Sequence, residues 1–240
     1  MFQLKHILAT GVIPQDRNMA RNLAHSLGVA IATGKYAEGT KLPHEPELAT
    51  LHSVSRTVVR EAVRHLVAKG MVEVKPRAGT RVMPRTAWNL LDEDVVVWTF
   101  EAGVSVGDFA DLNEVRSVFE PTAAEIAARR GSPEAKARIS KAYQDMEAAV
   151  GKPNEFVFAD AQFHIEILQA TENQYLCALR NILYAGLLSS IHKTNSNIEM
   201  NRKSLPLHQR VEEAIVAGDT AAAKEAMSNL LSDAFKRLSD

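Results

Sequence analysis

Asp160 and His164 stand four residues apart in the stretch Phe158-Ala159-Asp160-Ala161-Gln162-Phe163-His164. On a helix that spacing sends both side chains out of one face, one turn apart. A carboxylate and an imidazole so placed can share one divalent cation, and His208 could supply a third ligand from another helix. The same pair also makes an ordinary hydrogen bond, so spacing alone leaves both readings open. Arg116 lies in a segment otherwise rich in Leu, Val, Phe and Ala, and a half-buried guanidinium needs an anion. Glu120, four residues on, is one such anion. The carboxylate of a bound small molecule is the other.

A second set is basic. Arg56, Arg60 and Arg64 recur every four residues with Thr57 beside them, just after Ser55. The arginine fork can grip guanine O6 and N7, or a phosphate, through two parallel hydrogen bonds. Lys75 and Arg77 follow near Gly79 and Thr80, adding positive charge close by in the chain. The plainer alternative is a solvated basic face in which Glu61 pairs with a neighbouring arginine.

These side chains need elements to hold them. Val59, Ala62, Val63 and Leu66 form an apolar stripe at i, i+3, i+4 and i+7, which predicts a helix over 56–69 with Ser55 as N-cap and Gly70 just past its end. A short helix over 45–52 precedes it, with Pro46 in the first turn, and a longer helix over 17–33 comes before that. Residues 71–74 and 80–83 predict two strands joined by a tip over 75–79. Helix, helix, turn, helix, hairpin is the order of a winged helix-turn-helix. Residues 84–105 form a connector whose Trp88, Leu90, Leu91, Val95, Val96, Val97, Trp98 and Phe100 are too apolar to stay in water. Helices follow near 106–130, 133–150, 154–171, 173–195, 204–217 and 219–238, separated by Gly, Ser, Pro and Asp punctuation. The expected fold class is mainly α. A winged helix-turn-helix domain occupies 1–83, with 1–16 an arm; after the 84–105 connector, an all-helical bundle occupies 106–240.

Charge sorts along the same boundary. Residues 1–87 hold 13 basic and 6 acidic residues, and the remainder holds 15 basic and 23 acidic. A basic segment beside an acidic one suggests that one part meets a polyanion. The single Cys177 excludes an internal disulfide and a Cys-rich zinc site. No run approaches the apolar length of a membrane span, and no secretion signal is evident, so a cytoplasmic location without membrane contact is expected. His6, His25 and His192 carry no signal beyond ordinary surface or packing roles.

Lys41-Leu42-Pro43, Glu47-Leu48-Ala49, the run Val54 through Ala62, Lys69-Gly70-Met71-Val72 and Gly79-Thr80 together resemble the DNA-binding domain of GntR-family regulators. The resemblance implies that Arg56, Thr57 and Arg60 approach operator DNA and that the hairpin tip enters the adjacent groove. Ser55, Arg64, Lys75, Arg77, Gly79 and Thr80 complete the expected DNA-facing set. Pro46 departs from the pattern, because members often carry an arginine there. Leu112-Asn113-Glu114-Val115-Arg116, Phe119-Glu120-Pro121, residues 158–164 and His208 resemble the FCD ligand-binding domain of the FadR branch. The connector with Trp88 and Trp98 is similar to members that control sugar-acid operons, D-galactonate among them.

These resemblances imply a regulator, expected to be a repressor, released from double-stranded operator DNA by a small carboxylate effector such as an aldonate. One recognition helix reads too few base pairs alone, so a homodimer on a pseudo-palindrome is expected. Arg116, Asp160, His164 and His208 are the effector candidates. Asp160, His164 and His208 are also the ligands of one zinc-like divalent metal, if it is bound; no other cofactor is expected. Metal-binding members usually add a histidine on the last helix, and Leu230 stands at that position here. Three protein ligands plus water or a ligand oxygen still suffice for zinc. The alternatives are therefore a shared metal and direct contact with effector hydroxyls, and a regulator of the same fold that answers to another organic acid through the bound metal is the second functional reading. A metal-dependent enzyme built on the same three residues would need a general base beside the metal, and no helix offers a His-Glu-x-x-His arrangement.

Overall fold

The computed structural model describes residues 18–103, 106–184 and 198–239. The expected arm, His6, His192 and residues 185–195 of the expected 173–195 helix lie outside the described residues. The described chain falls into two compact units, one within residues 13–104 and the other formed mainly by residues 105–240.

The first unit opens with α1 (Met19–Ala32), capped by the Asn18 side chain, which accepts from the Ala20 and Arg21 amides. Ala20, Leu23, Ala24, Leu27 and Ile31 bury one face of it. Two further helices follow, α2 (Glu45–Leu51) and α3 (Arg56–Ala68), joined by a turn in which Ser53 takes φ +53°. The Ser55 hydroxyl caps α3 by accepting from Val58 N at 3.3 Å. Val59, Ala62, Val63 and Leu66 are its buried residues, matching the stripe expected from sequence. Gly70 takes φ +72°, and a Cβ there would lie 2.2 Å from the Ala87 carbonyl oxygen, so only glycine ends this helix without a clash.

The strands are β1 (Val72–Lys75) and β2 (Gly79–Val82), antiparallel with Val72 opposite Val82 and Lys75 opposite Gly79. The tip is thus three residues, 76–78. Residues 39–42 lie along the outer edge of β2, with Leu42 N donating to Thr80 O and Val82 N donating to Thr40 O, each at 2.9 Å.

The connector contains a helix that the sequence reading left unassigned, α4 (Glu93–Glu101), which belongs to this first unit. Asp92 caps it, and Val95, Val96, Val97 and Trp98 are buried. α4 packs on α1. The Trp98 ring lies so close to Gly28 that a Cβ at Gly28 would sit 2.2 Å from a ring carbon. Lys69, at the end of α3, donates to Asp92 at 2.6 Å, contacts Asp94 at 2.7 Å and lies 5.6 Å from the Trp98 ring centre. Burial alone would lower the Lys69 pKa, but the two carboxylates outweigh it and raise it. The connector is therefore docked on the rest of the first unit at both α1 and the end of α3.

The second unit is helical throughout its described residues: α5 (Val106–Arg130), α6 (Pro133–Ala148), α7 (Pro153–Ala170), α8 (Gln174–Ala178), α9 (Ile198–Ala217) and α10 (Thr220–Ser239). α5 packs along α10, α6 along α7, and α9 against α10 and α6. Ala123, Ala124, Ala127 and Ala128 bury one face of α5, and small side chains of this kind let a neighbouring helix approach closely. Ser140 donates to Glu212 between α6 and α9, and Arg130 Nε donates to Thr171 O at 2.5 Å. α9 begins at Ile198, earlier than the expected 204, and runs through Pro206. A proline forfeits one helical hydrogen bond, a loss that tertiary packing can offset. No described helix is long and apolar enough to cross a membrane.

Candidate functional site

On the first unit, Arg56, Thr57, Arg60 and Arg64 are all exposed on α3, away from its buried stripe. Arg60 Nε donates to Glu45 at 2.8 Å and Arg64 to Glu61 at 2.6 Å. The arginine side chains of these pairs remain 63% and 75% exposed, and ion pairs in water are worth only about 0–1 kcal/mol. Both guanidiniums can therefore exchange their carboxylates for phosphate or base edges at little cost. At the hairpin, Lys75 pairs with Glu73 at 2.8 Å. Arg77 takes φ +62°, a left-handed conformation costing a non-glycine residue about 1–2 kcal/mol, and presents its exposed side chain at the tip. Gly79 and Thr80 open β2, while Ser55 serves as the α3 cap.

On the second unit, three helices bring the expected residues together. α5 supplies Arg116 and Glu120, α7 supplies Asp160 and His164, and α9 supplies His208. Arg116, Glu120, His164 and His208 are all buried, whereas the Asp160 side chain keeps 20% exposure. Arg116 Nε donates to Glu120 Oε1 at 2.5 Å, so its anion in this structure is Glu120. The other Glu120 oxygen lies 2.5 Å from His164 Nδ1, yet neither atom has a hydrogen-bond partner: the contact is one of charge rather than alignment. Glu120 was expected only as a partner for Arg116, and its approach to His164 joins the arginine to the histidine–aspartate pair.

His164 Nε2 lies 3.3 Å from Asp160 Oδ1, and His208 Nε2 lies 2.9 Å from the same oxygen. His208 Nδ1 is 2.9 Å from the Ser204 carbonyl. A carbonyl can only accept, so Nδ1 carries a proton. His208 Nε2 then meets a carboxylate lone pair to lone pair, unless that nitrogen is also protonated or a cation lies between them. One ligand atom from each of Asp160, His164 and His208 falls within 4.8 Å of the others, so this donor set fits a divalent cation. The backbone carbonyl behind His208 is the kind of outer partner that would orient a metal-bound imidazole, and the Glu120 carboxylate places negative charge behind His164. Leu230, on α10, is buried and offers no ligand atom.

Electrostatics reinforces the arrangement. Burial would lower the His164 pKa, but Glu120 and Asp160 raise it to about 9. Burial would raise the Glu120 pKa, but Arg116 and His164 lower it to about 2. Asp160 moves far below the usual carboxylate range, since its imidazole hydrogen bonds and charges overcome burial. Two carboxylates thus face one guanidinium and two imidazoles. A surface groove of about 540 Å³ between α6 and α7 holds none of the five cluster residues, and its Arg138 and Lys141 already pair with Glu166 and Asp145.

Two family patterns cover most of the chain: that of the gntR family of bacterial regulatory proteins matches residues 19–82, and that of the FCD domain matches residues 111–233. The chain is 35% identical to YieP, an uncharacterised HTH-type transcriptional regulator of Escherichia coli K12, over 93% of this chain and 97% of that protein. It is 32% identical to the galactonate operon transcriptional repressor of the same organism, over 93% of this chain and 98% of the repressor. The solved structure of the Listeria monocytogenes protein Lar shares the fold, with a TM-score of 0.69 over 94% of this chain and 98% of that one, at 17% identity.

Two predictions follow from this geometry. Arg56→Ala should weaken binding to a selected duplex site by about 1–3 kcal/mol while leaving random-sequence binding much less affected, as for a bidentate base contact. Competition titrations at fixed salt measure both. The second concerns pH. The raised His164 pKa contributes stability that is complete below about 6.5 and lost as pH rises through about 9. The lowered Glu120 pKa contributes stability complete above about 4.5 and lost as pH falls through about 2. Chelator-treated protein should therefore lose melting temperature from pH 6.5 to 9, and His164→Gln should flatten that decline. Stabilisation by added zinc should instead grow over the same range, because a cation must displace the imidazole proton.

Proposed function

The chain belongs to the GntR family of bacterial regulatory proteins and carries an FCD domain, and on that premise we propose that it represses a sugar-acid operon and is released from its operator by the acid itself. It is a DNA-binding transcription regulator and not an enzyme. The observation that carries the effector reading is the largely buried charged cluster around Asp160, whose one carboxylate oxygen faces two imidazole nitrogens and whose side chain solvent still reaches. An apolar bundle has no need of such a cluster, and burying unpaired polar groups is costly. Similarity to a galactonate operon repressor along nearly the whole chain supports a sugar acid as the ligand class.

In this reading the effector carboxylate engages Arg116, drawing it from Glu120, and effector hydroxyls meet Asp160, His164 and His208. A zinc-like cation held by those three residues would supply a Lewis-acidic point for one effector oxygen. Without it, the same side chains contact the hydroxyls directly. The protein acts as a homodimer on a pseudo-palindromic operator, since one recognition helix specifies too few base pairs. The effector favours a dimer geometry that no longer spans two half-sites, to the extent that it binds that state better.

A thermal-shift screen of aldonates and uronates, with and without chelator, tests this. A sugar acid should raise the melting temperature. Chelation should abolish that shift if metal mediates binding and leave it intact if contact is direct. Arg116→Ala strands the Glu120 charge, a change worth about 3–5 kcal/mol in a buried pair, so Arg116→Lys serves as a folded control that keeps the charge and loses the fork. Both variants should still bind operator and respond to the acid only at much higher concentration. A full response at unchanged concentration places the ligand elsewhere.

A further inference from the structure

Asn113 lies on α5 one turn before Arg116 and two turns before Glu120. Steps of three and four residues keep a helical stripe on one face. Val115 and Val118, off that stripe, are 43% and 72% exposed, whereas Asn113, Arg116 and Glu120 are at most 6% exposed. Asn113 therefore shares the interior face that holds the charged cluster. Its Nδ2 is buried and has no hydrogen-bond partner. A buried amide donor left unpaired costs free energy in the unliganded protein, and leucine would fill the position without that cost.

We propose that Asn113 is an effector-contacting residue whose carboxamide pairs with a hydroxyl of a polyhydroxy acid bound by Arg116. The inference rests on the sugar-acid reading and extends it by one subsite. A hydroxyl accepts from Nδ2 and, with the amide turned over, donates to Oδ1; an ionised carboxylate can only accept. Hydroxyl chemistry thus suits this amide in either orientation. The stripe from Asn113 to Glu120 covers about 10 Å of helix at 1.5 Å per residue. Polar groups spread over that length, with the Asp160 cluster beside Glu120, suit an extended acyclic acid rather than a two- or three-carbon one. Asn113 then acts as a selector for chain length.

The test measures binding of glycolate, D-glycerate, D-gluconate and D-galactonate to the full-length parent and to Asn113→Leu. Unliganded Asn113→Leu should melt at or above the parent, because an orphaned amide has been removed. Its affinity for the six-carbon acid that the parent prefers should fall about tenfold, the worth of roughly one hydrogen bond, with the short acids unchanged. Should leucine overpack, Asn113→Ala removes the amide without added bulk and is read the same way. Unchanged binding of the six-carbon acids overturns the proposal, as does an equal loss across the series, which marks a disturbed pocket. A parent that binds none of the four, nor any uronate of the thermal-shift screen, refutes the sugar-acid reading itself, and that result is visible before any variant is compared.

Discussion

The helical unit is organised by the need to neutralise charge away from water. Arg116, Glu120 and His164 have almost no solvent to screen them; the Arg116 guanidinium keeps Glu120 ionised, and Glu120 and Asp160 keep His164 protonated, over contacts of 2.5–3.3 Å. That requirement fixes α5 against α7 through Glu120 and His164, and α7 against α9 through Asp160 and His208. A buried pair of this kind adds little net stability over apolar residues of the same volume. What it adds is a place where an incoming anion or cation can change the balance, and a regulator needs such a place.

The exposed basic face of α3 obeys the opposite rule. Its arginines are exposed, their carboxylate partners are held in water, and little free energy opposes trading one anion for another. Between the reading helix and the chain leaving the domain stands the Lys69 clamp, which ties the end of α3 to Asp92 and Asp94 at the start of α4. Trp98, seated on Gly28, holds the other end of the connector helix to α1. The connector helix is thereby held on the first unit at both ends.

Much of this was legible in the residues. The apolar stripe of α3, its Ser55 cap and Gly70 stop, and the hairpin follow from spacing and residue type, whereas the convergence of His208 on Asp160 and His164 was implied by the resemblance to FCD domains. The connector helix was missed because its apolar run has no clean period: Val95, Val96, Val97 and Trp98 are all buried in succession. Asp92 ahead of Glu93 and Asp94, the signature of a capped first turn, could have revealed it. The helix expected from 204 is described from Ile198 and continues through Pro206. Glu120 was legible as a partner for Arg116, but its contact with His164 depends on how two distant helices pack. Asn113 gave only a faint signal, an amide on a stripe otherwise made for the interior.

The central claim is that one small acid and one DNA site compete through a shared conformational equilibrium. Linkage makes that claim quantitative, because the factor by which the acid weakens operator binding must equal the factor by which operator weakens acid binding. The direct measurement is calorimetric titration of the preferred sugar acid into the protein alone and into the protein saturated with its operator duplex. The account predicts weaker acid binding to the DNA complex, by the same factor found when operator affinity is measured with and without saturating acid. Equal acid affinities in the two titrations would contradict it.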